Sequence, residues 1–184
     1  NGQAIKRDLE AALAREIRIT NDANCFALSE ALDGAAQGAA VVFAAILGTG
    51  VGAGIVVHGR VLEGPNAIAG EWGHNPLPWP DDDERPGPGC YCGRQGCVET
   101  FLSGPGLAAD YARRGGERVP SEEVVARASA GEPRALTTVG AWERRLAKAL
   151  AVVINIVDPD VIVVGGGLSR IERLYERVPA QWGA

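Results

Sequence analysis

The chain has 184 residues, 46% of them hydrophobic and 22% charged, a composition that fits a globular protein with a sizeable core and excludes a disordered or fibrous chain. The formal net charge of −5 argues against a general binder of nucleic-acid backbones, which would carry a basic stripe. The longest nearly apolar run, residues 35–47, is shorter than the roughly 20 residues that cross a bilayer, so we expect a cytoplasmic protein.

In the first half of the chain the sequence predicts helices, strands and a glycine-rich hairpin. Apolar residues repeat at helical spacing near the N-terminus, and Cys25 is expected inside the second helix as a small buried residue. Two apolar runs separated by Gly48-Thr49-Gly50 predict a hairpin, which a third short strand extends into a β-meander. The predicted ranges are a helix at 3–16, a strand at 17–20, a helix at 21–36, and strands at 41–47, 51–57 and 61–62.

The second half is predicted to be mostly helical around one more strand. A polar, Pro- and Gly-rich loop covers 81–89, where regular structure has little support. The basic pair Arg144-Arg145 is expected on a solvated helix face. This order of helices and strands indicates an α/β fold. The predicted ranges are helices at 104–114, 121–129 and 133–155, a buried strand at 161–164, and a last helix from the glycines at 165–167 to about residue 178.

Three cysteines and a histidine have the spacing of a metal site. Cys90, Cys92 and Cys97 lie within one short segment, and His74 precedes them. The glycines at 93 and 96 let the backbone fold tightly enough for the sulfurs to face one point, and four protein ligands suit a structural zinc site without an open position for water. The alternatives are three buried reduced thiols or a disulfide, although an odd cluster of three argues against the disulfide.

A run of polar residues, Asn21-Asp22-Ala23-Asn24, begins the second predicted helix. Helix capping by Asn21 or Asp22 explains one such residue better than it explains the whole run. A carboxylate in this position can also accept a proton, or a hydrogen bond from a hydroxyl group. The run is therefore a candidate for catalysis as well as for capping.

Two further patterns indicate binding of anionic and hydroxyl groups. The glycine-rich turn 48–54, which includes Thr49, is either a plain hairpin turn or a phosphate loop whose backbone N–H groups contact anionic oxygens. No Gly-Lys-Ser/Thr follows it, which excludes a P-loop. Glu71 and Glu99 flank the predicted metal ligands. Either carboxylate alone is an ordinary surface acid, but a pair of them near an imidazole can hold vicinal hydroxyl groups.

Together these motifs resemble those of the ROK family of sugar kinases, most closely its bacterial fructokinase/mannokinase branch. The cysteine block with the preceding Glu-Trp-Gly-His is highly specific, whereas the glycine turns are not. The resemblance implies an actin-like, hexokinase-type α/β fold of the ribonuclease H-like class, and transfer of phosphate from ATP to a hexose, with D-fructose as the expected sugar. The matching segments are NDAN (21–24), ILGTGVGAG (46–54), GEWGHNPLPW (70–79), CYCGRQGCVETFLSG (90–104) and DPDVIVVGGGLS (158–169).

The resemblance also implies roles for individual residues. Asp22 matches the general base that accepts the proton of the attacking sugar hydroxyl, and His74 is shared between zinc and the sugar. Mg²⁺ would bridge the phosphates of ATP, and the protein would be a homodimer. The other implied positions are Asn21, Glu71 and Glu99 for sugar hydroxyls, Gly48, Thr49, Gly50 and Gly52 for phosphate, Gly165, Gly166 and Gly167 for the adenosine side, and Cys90, Cys92 and Cys97 with His74 for zinc.

Two parts of the family's pattern do not occur in this sequence, namely the opening D-x-G-G-T-K motif and the helix that normally ends the chain. With the absence of methionine, this predicts a piece of a longer protein, in which 1–38 is a remnant of a small N-terminal domain and hinge and 39–184 is the large domain. Two alternatives stay open. One is a ROK-type transcriptional regulator that senses a sugar without phosphorylating it, and the other is a zinc-stabilised interaction domain without an active site.

Overall fold

The structure, a computed structural model, describes residues 4–182, and a mixed four-stranded sheet lies at its centre. The strands are β1 (Val41–Leu47), β2 (Val51–Val57), β3 (Arg60–Val61) and β4 (Val161–Gly165), in the spatial order β3-β2-β1-β4. Strand β1 pairs antiparallel with β2, where Val42 faces Val56, and parallel with β4, where Val42 faces Val161. The predicted β-meander and the later fourth strand are confirmed.

Helices cover both faces of this sheet. In chain order they are α1 (Ile5–Leu13), α2 (Asp22–Leu32), α3 (Val98–Leu102), α4 (Gly104–Arg113), α5 (Ser121–Ser129), α6 (Pro133–Val157) and α7 (Leu174–Arg177). Because side chains alternate along a strand, Val42 and Ala44 of β1 join Ala27 of α2 on one face, whereas Phe43 joins the larger core that contains Trp142 of α6. Within residues 4–182, none of the helices has the length and apolar character needed to cross a membrane.

Helix α2 lies directly on β2 because glycine takes the place of a larger residue at the contact. A Cβ atom at Gly54 would lie 2.5 Å from the carbonyl oxygen of Ala23 and 2.6 Å from the Cβ of Ala27. Side chains do not pack at such distances, so this approach of helix to strand requires glycine at position 54. The contact fixes the N-terminus of α2 above the first half of β2.

A second segment approaches the same half of β2 from its edge. Gly70 accepts a hydrogen bond from the backbone N–H of Ala53 at 3.1 Å. A Cβ atom on Gly73 would overlap the carbonyl oxygen of Val51. The chain at 70–73 therefore lies against β2 backbone to backbone.

The strand predicted at 17–20 is wrong. Residues 15–21 have no regular secondary structure, and Ile19 is exposed. A strand is stable only when its backbone groups pair, and no strand in the described part of the chain pairs with this segment. Helix α1 itself forms, but Gln3, the first residue of its predicted range, lies outside the described residues.

The prediction that Cys25 is buried is also wrong, because its side chain is exposed. The buried positions of α2 include Ala23, Ala27 and Ala31, which are spaced by four residues and share one face. With 3.6 residues per turn, Cys25 lies on the opposite side of the helix. The overall apolar character of the segment did not show which face of the helix is buried.

The single long helix predicted after the glycines at 165–167 is replaced by shorter pieces. A 3₁₀ helix covers Gly167–Arg170, and α7 covers only four residues. Between them Ile171 is buried and has an extended backbone, which interrupts the helical hydrogen bonding.

Arg145 was expected on a solvated face, but it lies at the centre of a buried ion-pair cluster. Its Nε donates a hydrogen bond to Glu84 Oε1 and its Nη1 donates one to Asp110 Oδ2, both at 2.6 Å. Burial alone would raise the pKa of Asp110, but the hydrogen bond and charge of Arg145 hold that pKa below its usual value. The cluster ties the loop 81–89 to both α4 and α6.

We expect Gly54→Ala to lower the free energy of unfolding by about 1–3 kcal/mol, because the new methyl group forces α2 away from β2. Urea denaturation of the natural protein measures this. Gly140→Ala is the matched control: it lies within α6, and the nearest atom to the new Cβ is 4.0 Å away. Alanine should be neutral there or stabilise by up to about 1 kcal/mol. Equal losses in the two variants would contradict the packing argument.

We expect Arg145→Met to lower the free energy of unfolding by about 2–4 kcal/mol, because Glu84 and Asp110 lose the buried guanidinium between them and keep only the more exposed Lys148, Arg113 and Arg114. Arg144→Met, one residue away on the exposed side, should change it by less than about 0.5 kcal/mol. The Asp110 pKa is depressed in the folded state, so its stabilisation is present above the ordinary value of 3.8 and is lost as the pH falls through the folded value. The difference between wild type and Arg145→Met should therefore shrink below that pH. A constant difference would show that the lost charge pair is not its cause.

Candidate active site

The four residues predicted as metal ligands converge in the structure. His74 ends a short 3₁₀ helix, Trp72–His74, and Cys97 directly precedes α3, while Cys90 and Cys92 lie in the loop between them. The ligand atoms of these four side chains all lie within 4.8 Å of one another. The cluster extends from the interior to the surface, since Cys97 is buried and Cys92 is exposed.

Glycines and backbone hydrogen bonds shape the loop that carries the cysteines. Gly93 and Gly96 have φ angles of +88° and +69°, a region that glycine adopts without strain. The N–H of Cys90 donates to the carbonyl of Arg94 at 2.8 Å, and the N–H of Gly96 donates to the carbonyl of Pro88 at 2.9 Å. These turns direct the three sulfur atoms to one side.

The donor atoms have the spacing of a tetrahedral zinc site. Cys90 Sγ lies 3.6 Å from His74 Nδ1, and Cys92 Sγ lies 3.6 Å from Cys97 Sγ. A tetrahedral ion with bonds of about 2.3 Å separates its ligand atoms by about 3.8 Å, whereas a disulfide requires about 2.0 Å. Three thiols and an imidazole at this spacing therefore fit Zn²⁺, and the cysteines are free thiols in the structure.

Burial makes one of these thiols a poor acid in the absence of a metal. Desolvation, with smaller contributions from Cys92 and Cys90, raises the pKa of Cys97 to about 12. The pKa of Cys92 is lowered instead, chiefly by a hydrogen bond from the backbone of Arg94. A bound cation would have to displace the proton of Cys97, as metal–thiolate bonding does.

The second ring nitrogen of His74 has a partner that the motif did not indicate. His74 Nε2 lies 2.9 Å from Tyr91 Oη, and the two rings meet edge to face with centroids 5.0 Å apart. Tyr91 is 83% exposed. We did not single out Tyr91 from the sequence, although its position between two predicted ligands was a signal that it lies at the site.

The polar run at 21–24 forms the start of α2. Asn21 caps the helix, since its Oδ1 accepts a hydrogen bond from the N–H of Ala23 at 2.8 Å. Asp22 Oδ1 accepts from the same N–H at 2.9 Å, and both side chains are exposed. Asn24 is buried, and its Nδ2 donates to Thr20 Oγ1 at 3.4 Å. Asn21 therefore caps α2, and the Asp22 carboxylate is at the same time accessible to a ligand.

The two carboxylates predicted to accompany the metal ligands lie near the beginning of β2. Glu99, in the first turn of α3, accepts a hydrogen bond from the N–H of Val51 at 2.9 Å. A Cβ atom on Gly50 would lie 2.8 Å from Glu99 Oε2. Glu71 is exposed and directly precedes the 3₁₀ helix Trp72–His74. Both acids are thus attached to segments that carry metal ligands.

A cavity of about 510 Å³ opens beside the turn between β1 and β2. Its walls combine that turn with the starts of α4 and α5, and the first N–H groups of α4 are already paired, since that of Gly106 donates to Ser103 Oγ. The N–H of Gly104 donates to the carbonyl of Gly48 at 2.8 Å, which attaches α4 to the turn. The walls include Gly48, Thr49, Gly104, Ser121, Glu122 and Gly167.

Only some of the residues predicted for the nucleotide reach this cavity. Gly48, Thr49 and Gly167 line it. Among the others, Gly50 touches Glu99, and a Cβ on Gly52 would meet Ala23 at 3.8 Å. Gly165 packs on Phe26 and Gly166 on the backbone of Leu47, so both serve close packing at the end of β4. The walls contributed by α4 and α5 were not predicted, because no local motif distinguishes them.

Comparison with known proteins identifies the family. The ROK family model matches residues 1–183. A curated relative, N-acetyl-D-glucosamine kinase of Yersinia pseudotuberculosis, is 41% identical over 182 residues, which cover 97% of this chain and 60% of that protein. The solved structure of ROK hexokinase from Thermus thermophilus has a TM-score of 0.86 at 36% identity and covers 97% of this chain and 60% of its own. The solved structure of a ROK family transcriptional regulator, a homolog of the E. coli MLC protein, has a TM-score of 0.83 at 29% identity. The match covers 96% of this chain and 46% of the regulator's chain.

The chain therefore belongs to the ROK family, and its fold is part of the actin-like α/β fold of hexokinases. Both predictions are confirmed. The chain spans about 60% of the length of the curated relative named above. The comparisons do not single out the fructokinase branch within the family.

We expect about one zinc ion per chain by elemental analysis of the natural protein. Cys97→Ser should lose that ion and about 3–4 kcal/mol of stability, the linkage expected when free metal exceeds the dissociation constant 100- to 1,000-fold. Cys25→Ser is the matched control, because Cys25 is exposed on α2, and it should retain the ion with a change below about 0.5 kcal/mol. A wild-type protein that is folded, stable and free of metal would contradict the assignment.

Proposed function

We propose that this chain carries the sugar site, a structural zinc site and part of the nucleotide site of an ATP-dependent hexose kinase. The proposal assigns residues 1–38 to a small N-terminal domain and hinge, and 39–184 to the large domain. It is supported by the likeness to two proteins named as a kinase of N-acetyl-D-glucosamine and as a hexokinase. Mg²⁺ would enter with ATP as part of the substrate, and the whole protein would act as a homodimer.

The main support is the convergence of the sugar-site candidates on the first half of β2. Asp22 begins the helix that packs on Gly54. Glu99 holds the N–H of Val51, and His74 ends the 3₁₀ helix whose Gly73 abuts the same residue. Three separate segments of the sequence thus pack on one short strand, which allows their side chains to bind a common ligand.

Asp22 would act as the general base. Its Oδ1 already accepts a hydrogen bond from Ala23, so Oδ2 is the oxygen free to take the proton of a sugar hydroxyl. As that proton leaves, the sugar oxygen forms a bond to the γ-phosphorus of ATP, the bond from the γ-phosphorus to its β–γ bridging oxygen breaks, and ADP departs. In such transfers catalysis comes mostly from positioning and from stabilisation of the phosphoryl charge.

The residues around the turn between β1 and β2 would bind the phosphates. Gly48 and Thr49 line the cavity of about 510 Å³, where backbone N–H groups and the Thr49 hydroxyl can donate to phosphate oxygens. In the proposal Gly50 and Gly52 keep the turn compact, and Gly165, Gly166 and Gly167 form the adenosine side. The zinc ion would take no part in the chemistry and would orient His74 and its neighbours.

Two sugars are candidates for the substrate. The segment GHNPLPW favours D-fructose, with Asn21, Glu71, His74 and Glu99 holding the hydroxyl groups. N-acetyl-D-glucosamine is the second candidate, favoured by the relative that is 41% identical. A sugar-sensing regulator is the alternative class, because a ROK regulator matches the fold closely. An accessible carboxylate at Asp22 favours the kinase, since a sensor has no need of a base.

We expect the full natural protein to transfer phosphate from ATP to a hexose, and Asp22→Asn to lower kcat by about 10²–10⁴-fold while sugar binding persists. The amide keeps the shape and the hydrogen bond to Ala23 but cannot accept a proton. An ADP-coupled assay with D-fructose, D-glucose and N-acetyl-D-glucosamine measures turnover, and calorimetry measures sugar binding.

Asp33→Asn serves as the control, because Asp33 is an exposed aspartate at the opposite end of α2. It should keep the wild-type kcat. Full activity of Asp22→Asn would remove Asp22 as the base. Sugar binding by the wild type without any turnover would favour the regulator.

A further inference from the structure

Both ring nitrogens of His74 are engaged in the structure. Nδ1 faces Cys90 Sγ at 3.6 Å, and Nε2 faces Tyr91 Oη at 2.9 Å. With a zinc ion on Nδ1, as the proposed metal site requires, the ring proton would reside on Nε2, and His74 would donate a hydrogen bond to the phenol oxygen. The proposed function requires the same N–H for a sugar hydroxyl. A single N–H cannot serve two oxygens at full strength, so the phenol and the sugar must compete.

The surroundings of Tyr91 agree with such a competition. Tyr91 lies close enough to Glu99 and, less strongly, to Glu71 for the negative charges of both carboxylates to act on its hydroxyl. Like a sugar hydroxyl, the phenol hydroxyl can accept a hydrogen bond from an imidazole N–H and donate one to a carboxylate. Tyr91 therefore presents this chemistry at the position where the proposed function requires it.

We propose that the Tyr91 hydroxyl is an internal substitute for a sugar hydroxyl. It accepts the hydrogen bond of His74 Nε2 in the free protein and is displaced when the hexose binds. The inference rests on the proposed function and adds a residue that sets sugar affinity. Tyr91 acts by competing for His74 and takes no part in the proton or phosphoryl transfer.

The local structure allows this displacement without a change of the backbone. Cys90 and Cys92 on either side of Tyr91 belong to the metal cluster, and the N–H of Gly93 donates to the carbonyl of Cys90 at 3.0 Å. The ring, in contrast, is 83% exposed and can rotate about its own side-chain bonds. Exposed side chains change rotamer in picoseconds to nanoseconds, so the competition lowers affinity and does not limit the rate of turnover.

The test is Tyr91→Phe in the full, zinc-loaded natural protein. The variant keeps the ring but loses the oxygen that accepts from His74, so a sugar no longer competes with an internal hydrogen bond. We expect the dissociation constant of the sugar, measured by calorimetry without ATP, to fall by about three- to tenfold, the range for one exchanged hydrogen bond. The KM for the sugar should fall by the same factor while kcat stays within about twofold.

Tyr175→Phe is the matched control. Tyr175 is also exposed, at 54%, and its hydroxyl also makes one hydrogen bond, which it donates to the carbonyl of Ser169 at 2.9 Å. It should leave the sugar dissociation constant unchanged, and zinc content should equal that of the wild type in both variants.

The outcomes separate this inference from the proposed function. If the wild type binds neither D-fructose, D-glucose nor N-acetyl-D-glucosamine, both are overturned. If the wild type binds and phosphorylates a sugar but Tyr91→Phe binds it equally well, the competition does not exist. Weaker binding by Tyr91→Phe would mean that the hydroxyl contacts the sugar directly, which also overturns the inference.

Discussion

The close approach of backbone segments to the first half of β2 is the constraint on which the rest of the site depends. Helix α2 reaches this strand because Gly54 has no side chain, and the segment before the metal loop reaches it because Gly70 and Gly73 have none. Each contact involves backbone atoms, which cannot adjust as side chains do. The positions of Asp22 and His74 follow from these contacts, so the geometry of the site depends on small residues that take no part in chemistry.

The metal cluster also determines where the carboxylates of Glu71 and Glu99 lie. Cys97 directly precedes α3, and Glu99 lies in the first turn of that helix. Glu71 directly precedes the 3₁₀ helix that ends with His74. An ion that holds Cys97 and His74 together therefore also fixes the separation of the two acids, without contacting either. At the other end of the loop, the buried pair of Arg145 and Glu84 restrains the chain that leads into the cluster.

The sequence predicted the parts of the structure that depend on residues close together in the chain. The hairpin follows from glycines between two apolar runs, and the cysteine loop follows from Gly93 and Gly96, whose positive φ angles the structure shows. The burial of Arg145 was missed, because its partners Asp110 and Glu84 lie 35 and 61 residues away in sequence. For the same reason the hydrogen bond between Tyr91 and His74 was missed, since it depends on how the metal loop folds back over the preceding helix.

The turn between β1 and β2 joins the two halves of the proposed reaction. Gly48 and Thr49 line the cavity assigned to ATP, and the next two residues, Gly50 and Val51, contact Glu99 on the side assigned to the sugar. Phosphoryl transfer requires the donor and acceptor oxygens to be in line, and a misplacement of about 1 Å can lower the rate about 100-fold, so a shared turn of four residues is a short link between them. A side chain at position 50 would displace the Glu99 carboxylate, because its Cβ would lie 2.8 Å from Glu99 Oε2. In the proposed reaction this would move a carboxylate assigned to the sugar, which is a physical reason for glycine beside the phosphate turn.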